Sequence, residues 1–567
     1  MAQIKVKDAL LRQFQADGID VIFGNPGSTE ENFLQAVGEN PGIRYVPGLQ
    51  EASVAAMADG WARTTHKTAV CQIHSAVGLG NAMGVMYEAF RSHTPMLFLA
   101  GEPPQELQAF DGFLAGDLSA IARPLTKWSA RLTHGTQAMR IVRRALKVAA
   151  TPPYGPVFLA LPMDVLDEET DDGDIFPSSS VVPPSTCTAS EAAEIARSLA
   201  DAEMPMLLVG DGINEAGGRS ELKELAHMLA APVWGVECNE PVLSFRDPLF
   251  MGLIGHSFGD HTRTITSAAD VLLAMGTPVF PELFPSVQPY FRDGARLYQI
   301  DRDPWEIAKN FPVQKGLQAD PKGSMILIIE ELKKLLPDRA GKISERKKRV
   351  TAEKAAAFEE ERKTLESVAD TPESMSPATL MRTLSAELPE KAFVYDESLT
   401  STNALLHYLQ PENPDSYILA RGGCIGVGWP GAVGAAVSRS DRIVLAPSGD
   451  GSALFALQTL WTAVHENLKI IFIVCNNASY RILKINLLHY LKGAGDKLCP
   501  FPYMDINSPR INFAGLAEGM GMKSCRVKNA AELRQAVREA VAEAGPYLID
   551  AEINGSVEKE RDNLFPK

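Results

Sequence analysis

Two polar stretches near the end of the chain lie one helix apart and could together bind a divalent cation. Asp450 sits in the turn of "APSGDGS", and Asn476 and Asn477 end the apolar run "KIIFIVCNN". The sequence between them, "SALFALQTLWTAVHEN", has apolar residues near helical spacing, so the stretch predicts a βαβ unit. Because its crossover is right-handed, both strands end at the same edge of a parallel sheet.

Carboxylate and amide oxygens at that edge suit Mg²⁺, which prefers oxygen ligands and usually arrives with phosphates. A helix beginning near Ser452 would direct its free N–H groups toward the same anion. A Gly-Asp-Gly turn on its own is more often a simple turn. The asparagine pair at the next strand end favours the metal site.

The elements that must position these residues form three blocks in which strands alternate with helices. We expect an α/β protein with three doubly wound parallel sheets, over residues 1–170, 188–336 and 372–554. A segment from Asp167 to Thr186, rich in Asp, Ser and Pro, reads as a linker. The charged stretch "ISERKKRVTAEKAAAFEEERKTLES" predicts a solvated connecting helix.

Composition argues against nucleic-acid-binding, membrane and secreted proteins. The net charge of -15 argues against a nucleic-acid or anionic-membrane surface. The first residues, "MAQIKVKDALLRQF", lack the pattern of a signal peptide, and no apolar run reaches the length of a membrane span. The 7 cysteines contain no C-x-x-C pair, which indicates reduced thiols and a cytoplasmic protein.

The Gly-Asp-Gly turn and the asparagine pair resemble the motif of the thiamine diphosphate-dependent decarboxylase and acetolactate synthase family, with the benzoylformate decarboxylases as the nearest likeness. The resemblance spans essentially the whole chain. It implies pyrimidine-binding, central and diphosphate-binding domains in that order. It also implies thiamine diphosphate and Mg²⁺ as cofactors, with Asp450, Asn477 and the Ser479 carbonyl as metal ligands.

The segment "YVPGLQEASVAAMADGWAR" carries Glu51 after a short strand and at the start of an alanine-rich helix. From the residues alone, Glu51 is a helix-start carboxylate stabilised by the helix dipole. The resemblance implies a catalytic role, in which Glu51 hydrogen-bonds the pyrimidine of a cofactor bound mainly by another subunit. A homodimer or homotetramer follows, with active sites at the dimer interface.

Two further side chains can be interpreted either as structural or as catalytic residues. In "FGNPGSTEENF", Ser28 and Glu31 have the spacing of a capping box, while the resemblance implies that Ser28 faces the substrate carboxylate. His74 in "CQIHSAVGLGNAMG" follows a strand and could be structural. The resemblance implies that it relays protons, which suits a group that donates and accepts near neutrality.

The resemblance also implies further contacts to the cofactor. In "ARGGCIGVGWPG", the Gly423 carbonyl would accept from the 4′-amino group and Ile425 would hold the cofactor bent. In "YDESLTSTN", Thr400 is the best-matched hydroxyl, and Leu399 stands where a second hydroxyl would be expected. The other implied cofactor contacts are Gly449, Gly451, Ser452 and Tyr480.

The sequence departs from the family pattern at two places. Leu283 occupies the position of a second catalytic histidine, which puts aldehyde release in doubt and favours carboligation or a different donor. Arg481 and Lys484 stand where small and aromatic residues are expected. They either form an exposed helix face or point inward, which would favour a substrate with a second negative charge.

Nucleotide binding by glycine-rich turns has less support. Gly78, Gly80 and Gly84 are spaced one residue off a dinucleotide fingerprint, and the next strand lacks the expected terminal acid. In the second block, "VGDGINEAGG" lacks a fingerprint for the FAD or ADP that some relatives hold there. The sequence leaves that question open.

We therefore expect a 2-oxo acid decarboxylase that depends on thiamine diphosphate and Mg²⁺ and acts on a small molecule. The alternatives are a carboligase similar to acetolactate synthase, a 2-hydroxyacyl-CoA lyase, and a catalytically silent relative that binds the cofactor. The sequence does not identify the side chain of the substrate, because several loops form the pocket.

Overall fold

The structure is a computed structural model that describes residues 3–179, 185–420 and 423–565. The described residues form two compact units. One contains 3–179, 368–405 and 423–565, and the other contains 185–367 and 406–420. Among the described residues, no helix combines the length and apolar character needed to cross a membrane.

The first block begins with a strand and then alternates helices and strands. Its elements are β1 (Gln3–Lys5), α1 (Val6–Ala16), β2 (Val21–Gly24), α2 (Glu31–Glu39), β3 (Arg44–Pro47), α3 (Glu51–Thr65), β4 (Ala69–Ile73), α4 (Ser75–Arg91), β5 (Met96–Glu102), α5 (Leu118–Ala122), β6 (Trp128–Arg131), α6 (Gly135–Ala149), β7 (Pro156–Pro162), α7 (Met163–Asp167) and β8 (Glu169–Asp171). A parallel sheet has the order β3-β2-β4-β5-β7-β6. Every residue of β4, β5 and β7 is buried, as expected for strands covered by helices on both faces.

The second block contains α8 (Ala189–Asp201), β9 (Pro205–Val209), α9 (Gly212–Glu215), α10 (Arg219–Leu229), β10 (Val233–Val236), β11 (Phe250–Ile254), α11 (Gly259–Thr266), β12 (Val271–Met275), β13 (Arg296–Asp301), β14 (Lys315–Gln318), α12 (Pro321–Leu335) and α13 (Ala340–Glu366). Its parallel sheet has the order β11-β10-β9-β12-β13-β14. The predicted charged helix is confirmed as α13, whose only buried residues are Arg346 and Val350 among those described.

The third block contains α14 (Pro377–Glu387), β15 (Phe393–Asp396), α15 (Thr402–Leu409), β16 (Tyr417–Leu419), α16 (Gly428–Ser438), β17 (Val444–Gly449), α17 (Asp450–Leu454), α18 (Thr459–His465), β18 (Ile470–Asn476), α19 (Arg481–Ala494), α20 (Phe513–Gly519), β19 (Lys523–Val527), α21 (Ala530–Ala542), β20 (Tyr547–Glu552) and α22 (Glu558–Leu564). Its sheet has the order β16-β15-β17-β18-β20-β19. The predicted α/β class with three doubly wound parallel sheets is confirmed.

The segment predicted as a linker from Asp167 to Thr186 is partly ordered into the first block. Within it, β8 pairs antiparallel with β1, so that Thr170 lies opposite Ile4. Thr170 is buried, and Ile4 packs against the core of the first block. Residues 180–184 of the predicted linker lie outside the described residues.

Helices α3 and α16 pack at very short distance, and this contact joins the first block to the part of the third block that lies in the same unit. A Cβ at Gly60 would collide with the backbone of Gly431, and one at Gly434 would collide with the backbone of Met57. The small residues of "GWPGAVGAA" therefore allow α16 to pack directly on the helix that begins with Glu51.

Candidate active site

The strands β17 and β18 bring Asp450 and Asn477 to one edge of the third sheet. The two strands pair in parallel, with Gly449 opposite Cys475. Asp450 follows the last residue of β17, and Asn477 follows the last residue of β18. The parallel βαβ arrangement predicted from the sequence is confirmed.

Several oxygen atoms at this edge are buried and lack a hydrogen-bond partner among the described residues. Asp450 Oδ1 accepts from the Gly451 N–H at 2.8 Å, whereas Asp450 Oδ2 lies near the N–H groups of residues 477–479 without a well-formed hydrogen bond among the described residues. Within the described part of the chain, the Asn477 Oδ1 and Ser452 Oγ atoms are also buried and unpaired. Because burying an unpaired polar atom costs free energy, such a group of oxygens indicates a missing ligand, and oxygen donors suit Mg²⁺.

The Asp450 carboxyl is buried and lies near several backbone N–H groups. Burial raises its pKa to about 6, and the N–H groups of Gly451 and of residues 477–479 oppose that rise. Those donors show that the turn after β17 and the loop after β18 face each other. A divalent cation beside Asp450 would stabilise the ionised carboxylate, since a nearby opposite charge favours the charged form.

The helix expected to begin near Ser452 is instead two short helices, α17 and α18. Between them the chain bends toward the first block. At the end of this bend the Gln458 side chain donates to Ser53 Oγ at 3.2 Å, and within α18 the Thr462 Oγ1 donates to the Pro47 carbonyl at 3.0 Å. The prediction of one continuous helix was wrong because these tertiary contacts outweigh the local helical pattern.

The remaining residues assigned to the diphosphate side surround this turn. A Cβ at Gly451 would lie 2.7 Å from the Tyr480 ring, and one at Gly449 would lie 3.5 Å from Leu399 Cδ1. Thr400 is half-buried in a short 3₁₀ turn next to Leu399. The Ser479 carbonyl accepts from the Arg481 N–H at 2.8 Å, which leaves one of its two lone pairs for a cation.

A buried glutamate that the sequence reasoning missed holds the loop before α16. Glu397 accepts from the N–H groups of Gly426 and Gly428 at 2.6 and 2.8 Å. Burial raises the Glu397 pKa to about 7, although these N–H groups lower it. In this loop Gly423 has a φ of 97°, which favours glycine, and Ile425 is 40% exposed. The loop therefore presents an apolar side chain on a fixed backbone.

Glu51 occupies the position that the sequence predicted, at the first residue of α3. It is buried, and its Oε2 accepts from the Asn81 side chain at 3.0 Å. A Cβ at Gly78 would lie 3.0 Å from Glu51 Cγ, so the glycine makes room for this carboxylate. Asn81 was missed because it stands 30 residues away in the sequence, and only the fold brings it to Glu51.

His74 lies at the N-terminal end of α4 and pairs with a buried carboxylate. Its Nδ1 is 2.9 Å from Glu30 Oε2, and Glu30 Oε1 accepts from the Gly101 N–H at 2.7 Å and from Thr29 Oγ1 at 2.9 Å. A carboxylate at Nδ1 favours the proton on that nitrogen and leaves Nε2 for other partners. No local pattern indicated Glu30, which precedes His74 by 44 residues.

Ser28 lies on an exposed turn before α2. The helix begins at Glu31, its N-cap residue is Glu30, and no side chain caps it. The predicted capping box between Ser28 and Glu31 is therefore wrong, because Glu30 turns into the core to reach His74 and Gly101 and moves the helix start past Ser28.

Of the two arrangements considered from the sequence, Arg481 follows the inward one, but it meets an acid of the chain. Arg481 is buried and donates to Glu560 at 2.5 Å, while Lys484 pairs with Asp505 at 2.6 Å. Both side chains are thus paired with acidic residues of the third block. In the second unit, Leu283 is 67% exposed, and its N–H donates to the His256 carbonyl at 3.0 Å.

Comparison with known proteins agrees with this architecture. Three family models match the chain: the N-terminal thiamine pyrophosphate (TPP) binding domain over residues 4–123, the central domain over 192–332 and the C-terminal TPP binding domain over 400–551. Together they cover most of the chain and correspond to its three sheets.

Relatives and solved structures resemble the chain along almost its whole length. A benzoylformate decarboxylase of Pseudomonas aeruginosa is 28% identical over 94% of this chain and 96% of its own. A probable acetolactate synthase large subunit of Methanococcus aeolicus is 26% identical over 97% and 92%. A thiamine diphosphate-dependent 4-hydroxybenzoylformate decarboxylase structure from Rhodococcus jostii RHA1 has a TM-score of 0.84 at 27% identity, over 97% and 99%. The chain therefore belongs to the thiamine pyrophosphate enzyme family.

Proposed function

We propose that this protein is a lyase that uses thiamine diphosphate and Mg²⁺ to decarboxylate a 2-oxo acid. The observation that carries the proposal is the group of buried, unpaired oxygens of Asp450, Asn477 and Ser452 at one sheet edge. The residues present fit the cofactor, because a cation and a phosphate would supply the partners that these atoms lack. A bound thiamine diphosphate would supply an electron sink for loss of CO₂.

We assign the binding roles by block, with residues 1–170 as the pyrimidine-binding domain, 188–336 as the central domain and 372–554 as the diphosphate-binding domain. Asp450, Asn477 and the Ser479 carbonyl would hold Mg²⁺. The Gly423 carbonyl and Ile425 would orient the ring system. The diphosphate would be enclosed by Thr400, Gly449, Gly451, Ser452 and Tyr480.

The first block would supply the proton-transfer groups. Glu51 would share a proton with the pyrimidine ring, and Asn81 fixes the orientation of its carboxylate at 3.0 Å. His74 would move a proton at the substrate through Nε2, because Glu30 holds Nδ1 at 2.9 Å. The exposed Ser28 hydroxyl would bind the substrate carboxylate.

A second copy of the chain would complete each site. Within one chain, Glu51 lies against Gly78, whereas Cys424, next to Ile425, lies against Gly84. The two glycines are separated by about 9 Å along α4, at 1.5 Å per residue. Membership of the thiamine pyrophosphate enzyme family supports a homodimer, or a homotetramer of dimers, in which Glu51 of one protomer serves the diphosphate block of its partner.

The substrate would be a 2-oxo acid with a single carboxylate. The two cations considered for a second negative charge, Arg481 and Lys484, are engaged with Glu560 and Asp505. We expect aromatic and branched 2-oxo acids to release CO₂ faster than dicarboxylic ones when the purified protein is assayed with Mg²⁺ and thiamine diphosphate.

Replacement of Glu51 by glutamine tests the assignment. Glu51→Gln removes the group that shares a proton with the cofactor, so we expect CO₂ release to fall about 100-fold or more while thiamine diphosphate still binds. Glu31→Gln is the matched control, because Glu31 also opens a helix but is exposed. Parental turnover by Glu51→Gln would contradict the proposal.

One observation favours carboligation as a second candidate. Leu283, a side chain without a proton to donate, stands where the family resemblance places a second histidine. Product analysis separates the two outcomes. Free aldehyde supports the decarboxylase, and a 2-hydroxy ketone formed with a carbonyl acceptor supports the carboligase.

A further inference from the structure

The loop that follows β18, here called the asparagine loop (residues 477–480), holds an unfavourable backbone conformation. Ala478 has a φ of 53°, in the left-handed region that side chains with a Cβ rarely adopt. Such a conformation persists only where the surrounding structure enforces it. The loop carries two of the proposed Mg²⁺ ligands, so whatever holds it also fixes the ligand positions.

Two segments from later in the chain hold the asparagine loop. The first is a short backbone pairing, in which the Tyr480 N–H donates to the Met504 carbonyl at 2.8 Å and the Ile506 N–H donates to the Ala478 carbonyl at 2.9 Å. The second lies beyond β20, where a Cβ at Gly555 would come within 3.0 Å of Asn477. The loop is thus enclosed between two parts of the third block.

Arg481 connects the end of the asparagine loop to α22. Its side chain is almost fully buried and donates to Glu560 Oε1 at 2.5 Å and to the Ser556 carbonyl at 3.3 Å. Glu560 Oε2 is buried and has no hydrogen-bond partner among the described residues. Removing the acid would leave a buried guanidinium without its charge partner, which is far less favourable than the intact pair.

We propose that Arg481 and Glu560 are positioning residues for the Mg²⁺–thiamine diphosphate site, and that they couple α22 to the asparagine loop. The inference rests on the proposed function. Docked α22 holds Arg481 in place, Arg481 fixes the end of the loop, and the loop presents Asn477 and the Ser479 carbonyl. Because such coupling is reciprocal, a bound cofactor must also stabilise the docked helix.

Cofactor affinity tests the coupling in one direction. We would titrate thiamine diphosphate with saturating Mg²⁺ into the wild type, Glu560→Gln and Glu558→Gln by calorimetry. Glu558→Gln is the matched control, since it removes the same charge from an exposed position of α22. We expect Glu560→Gln to weaken binding about tenfold, in the range known for groups that support metal ligands, and the control to leave it unchanged.

Hydrogen exchange of the wild-type protein tests the other direction. We expect Mg²⁺ and thiamine diphosphate together to slow amide exchange across residues 558–564, and to slow it less in Glu560→Gln. Equal affinities for Glu560→Gln and Glu558→Gln, or α22 exchange that ignores the cofactor in the wild type, would overturn the coupling alone. A wild type that binds no thiamine diphosphate would overturn both the proposed function and this inference.

Discussion

The carboxyl ends of β17 and β18 in the third sheet carry Asp450 and Asn477, and the corresponding ends of β9 and β12 in the middle sheet carry Asp211 and Gly276. Both pairs of strands are parallel neighbours, and open parallel sheets bind ligands at such edges. The two edges differ in whether the described residues supply hydrogen-bond partners for both oxygens of the strand-end acid.

The middle sheet satisfies its strand-end acid internally. Both oxygens of Asp211 accept from the Asn239 N–H, at 3.0 and 2.9 Å, and the Glu240 N–H adds a contact at 3.2 Å. A Cβ at Gly210 would lie 2.5 Å from the Gly276 carbonyl, so the two strand ends touch each other. At the third sheet, Asp450 Oδ2 and Asn477 Oδ1 form no well-aligned hydrogen bond with any described residue.

A glycine-flanked aspartate at the end of a parallel strand is therefore not a binding site by itself. The middle sheet has one in "VGDGI", much as the third sheet has one in "PSGDGS". The difference lies in the second strand end, where an asparagine leaves an oxygen unpaired in one case and a glycine closes the gap in the other. An unpaired oxygen on the strand-end acid, and not the Gly-Asp-Gly turn, is therefore the feature that separates the two edges.

Removal of the unpaired amide should have the largest effect. Asn477→Ala takes away a proposed Mg²⁺ ligand, so we expect the affinity for thiamine diphosphate with Mg²⁺ to fall about 100-fold. Calorimetry measures the dissociation constant, and Asn467→Ala provides an amide control before β18. A dissociation constant within twofold of the wild type would remove the distinction between the two sheet edges.

Removal of the internally paired acid should change stability instead. Asp211→Asn replaces an acceptor by a donor that faces the Asn239 N–H, and we expect the free energy of unfolding to fall by about 2 kcal/mol. Thiamine diphosphate affinity should stay at the wild-type value. Denaturant titration and calorimetry on the same preparation check both parts, and weaker cofactor binding would show that the middle edge takes part in the site.

A pH effect should arise from Glu397, at the end of β15. Burial raises its pKa from 4.5 to about 7, so the folded protein binds a proton that the unfolded chain has lost over this range. The contribution of Glu397 to stability is therefore greatest at low pH and falls as pH rises from about 4.5 to about 7.

Glu397→Gln has no titrating group at this position, so the stability of the wild type relative to the variant should decline over the same interval. Urea unfolding at several pH values measures this difference. A difference that does not change with pH, or that grows as pH rises, would show that Glu397 stays ionised in the folded protein.

The smallest effect on stability is expected for a substitution of Leu283 in the second unit. Because its side chain is 67% exposed, Leu283→Ala should change the free energy of unfolding by less than about 0.5 kcal/mol. Leu273→Ala, at a fully buried position of β12, should cost about 2–5 kcal/mol. Similar losses for the two variants would mean that Leu283 packs into a core.

Local sequence patterns were sufficient for the sheets and for the positions of Asp450, Asn477 and Glu51. Apolar runs of strand length followed by turn residues are local signals, and a parallel crossover then fixes which strand ends meet. The patterns failed where distant residues intervene. Gln458 at the start of α18 and Thr462 within it bond to residues of the first block, and the chain bends just before α18 instead of continuing one helix.

The partners of Glu397 and Arg481 were not predictable for the same reason. Glu397 is 29 residues from Gly426, and Arg481 is 79 residues from Glu560, so no helical or strand period links them. Charged residues such as Arg481 read as surface or substrate groups in a sequence. Only the folded chain shows that an acid of the same block neutralises them.

The most direct test concerns Asp450. Calorimetric titration of thiamine diphosphate into wild-type protein and Asp450→Asn, each with and without Mg²⁺, asks whether the unpaired carboxylate oxygen binds the cation. We predict binding by the wild type that requires Mg²⁺ and at least about 100-fold weaker binding by Asp450→Asn. Equal binding by both proteins, or wild-type binding that ignores Mg²⁺, would contradict a metal-diphosphate site at this sheet edge.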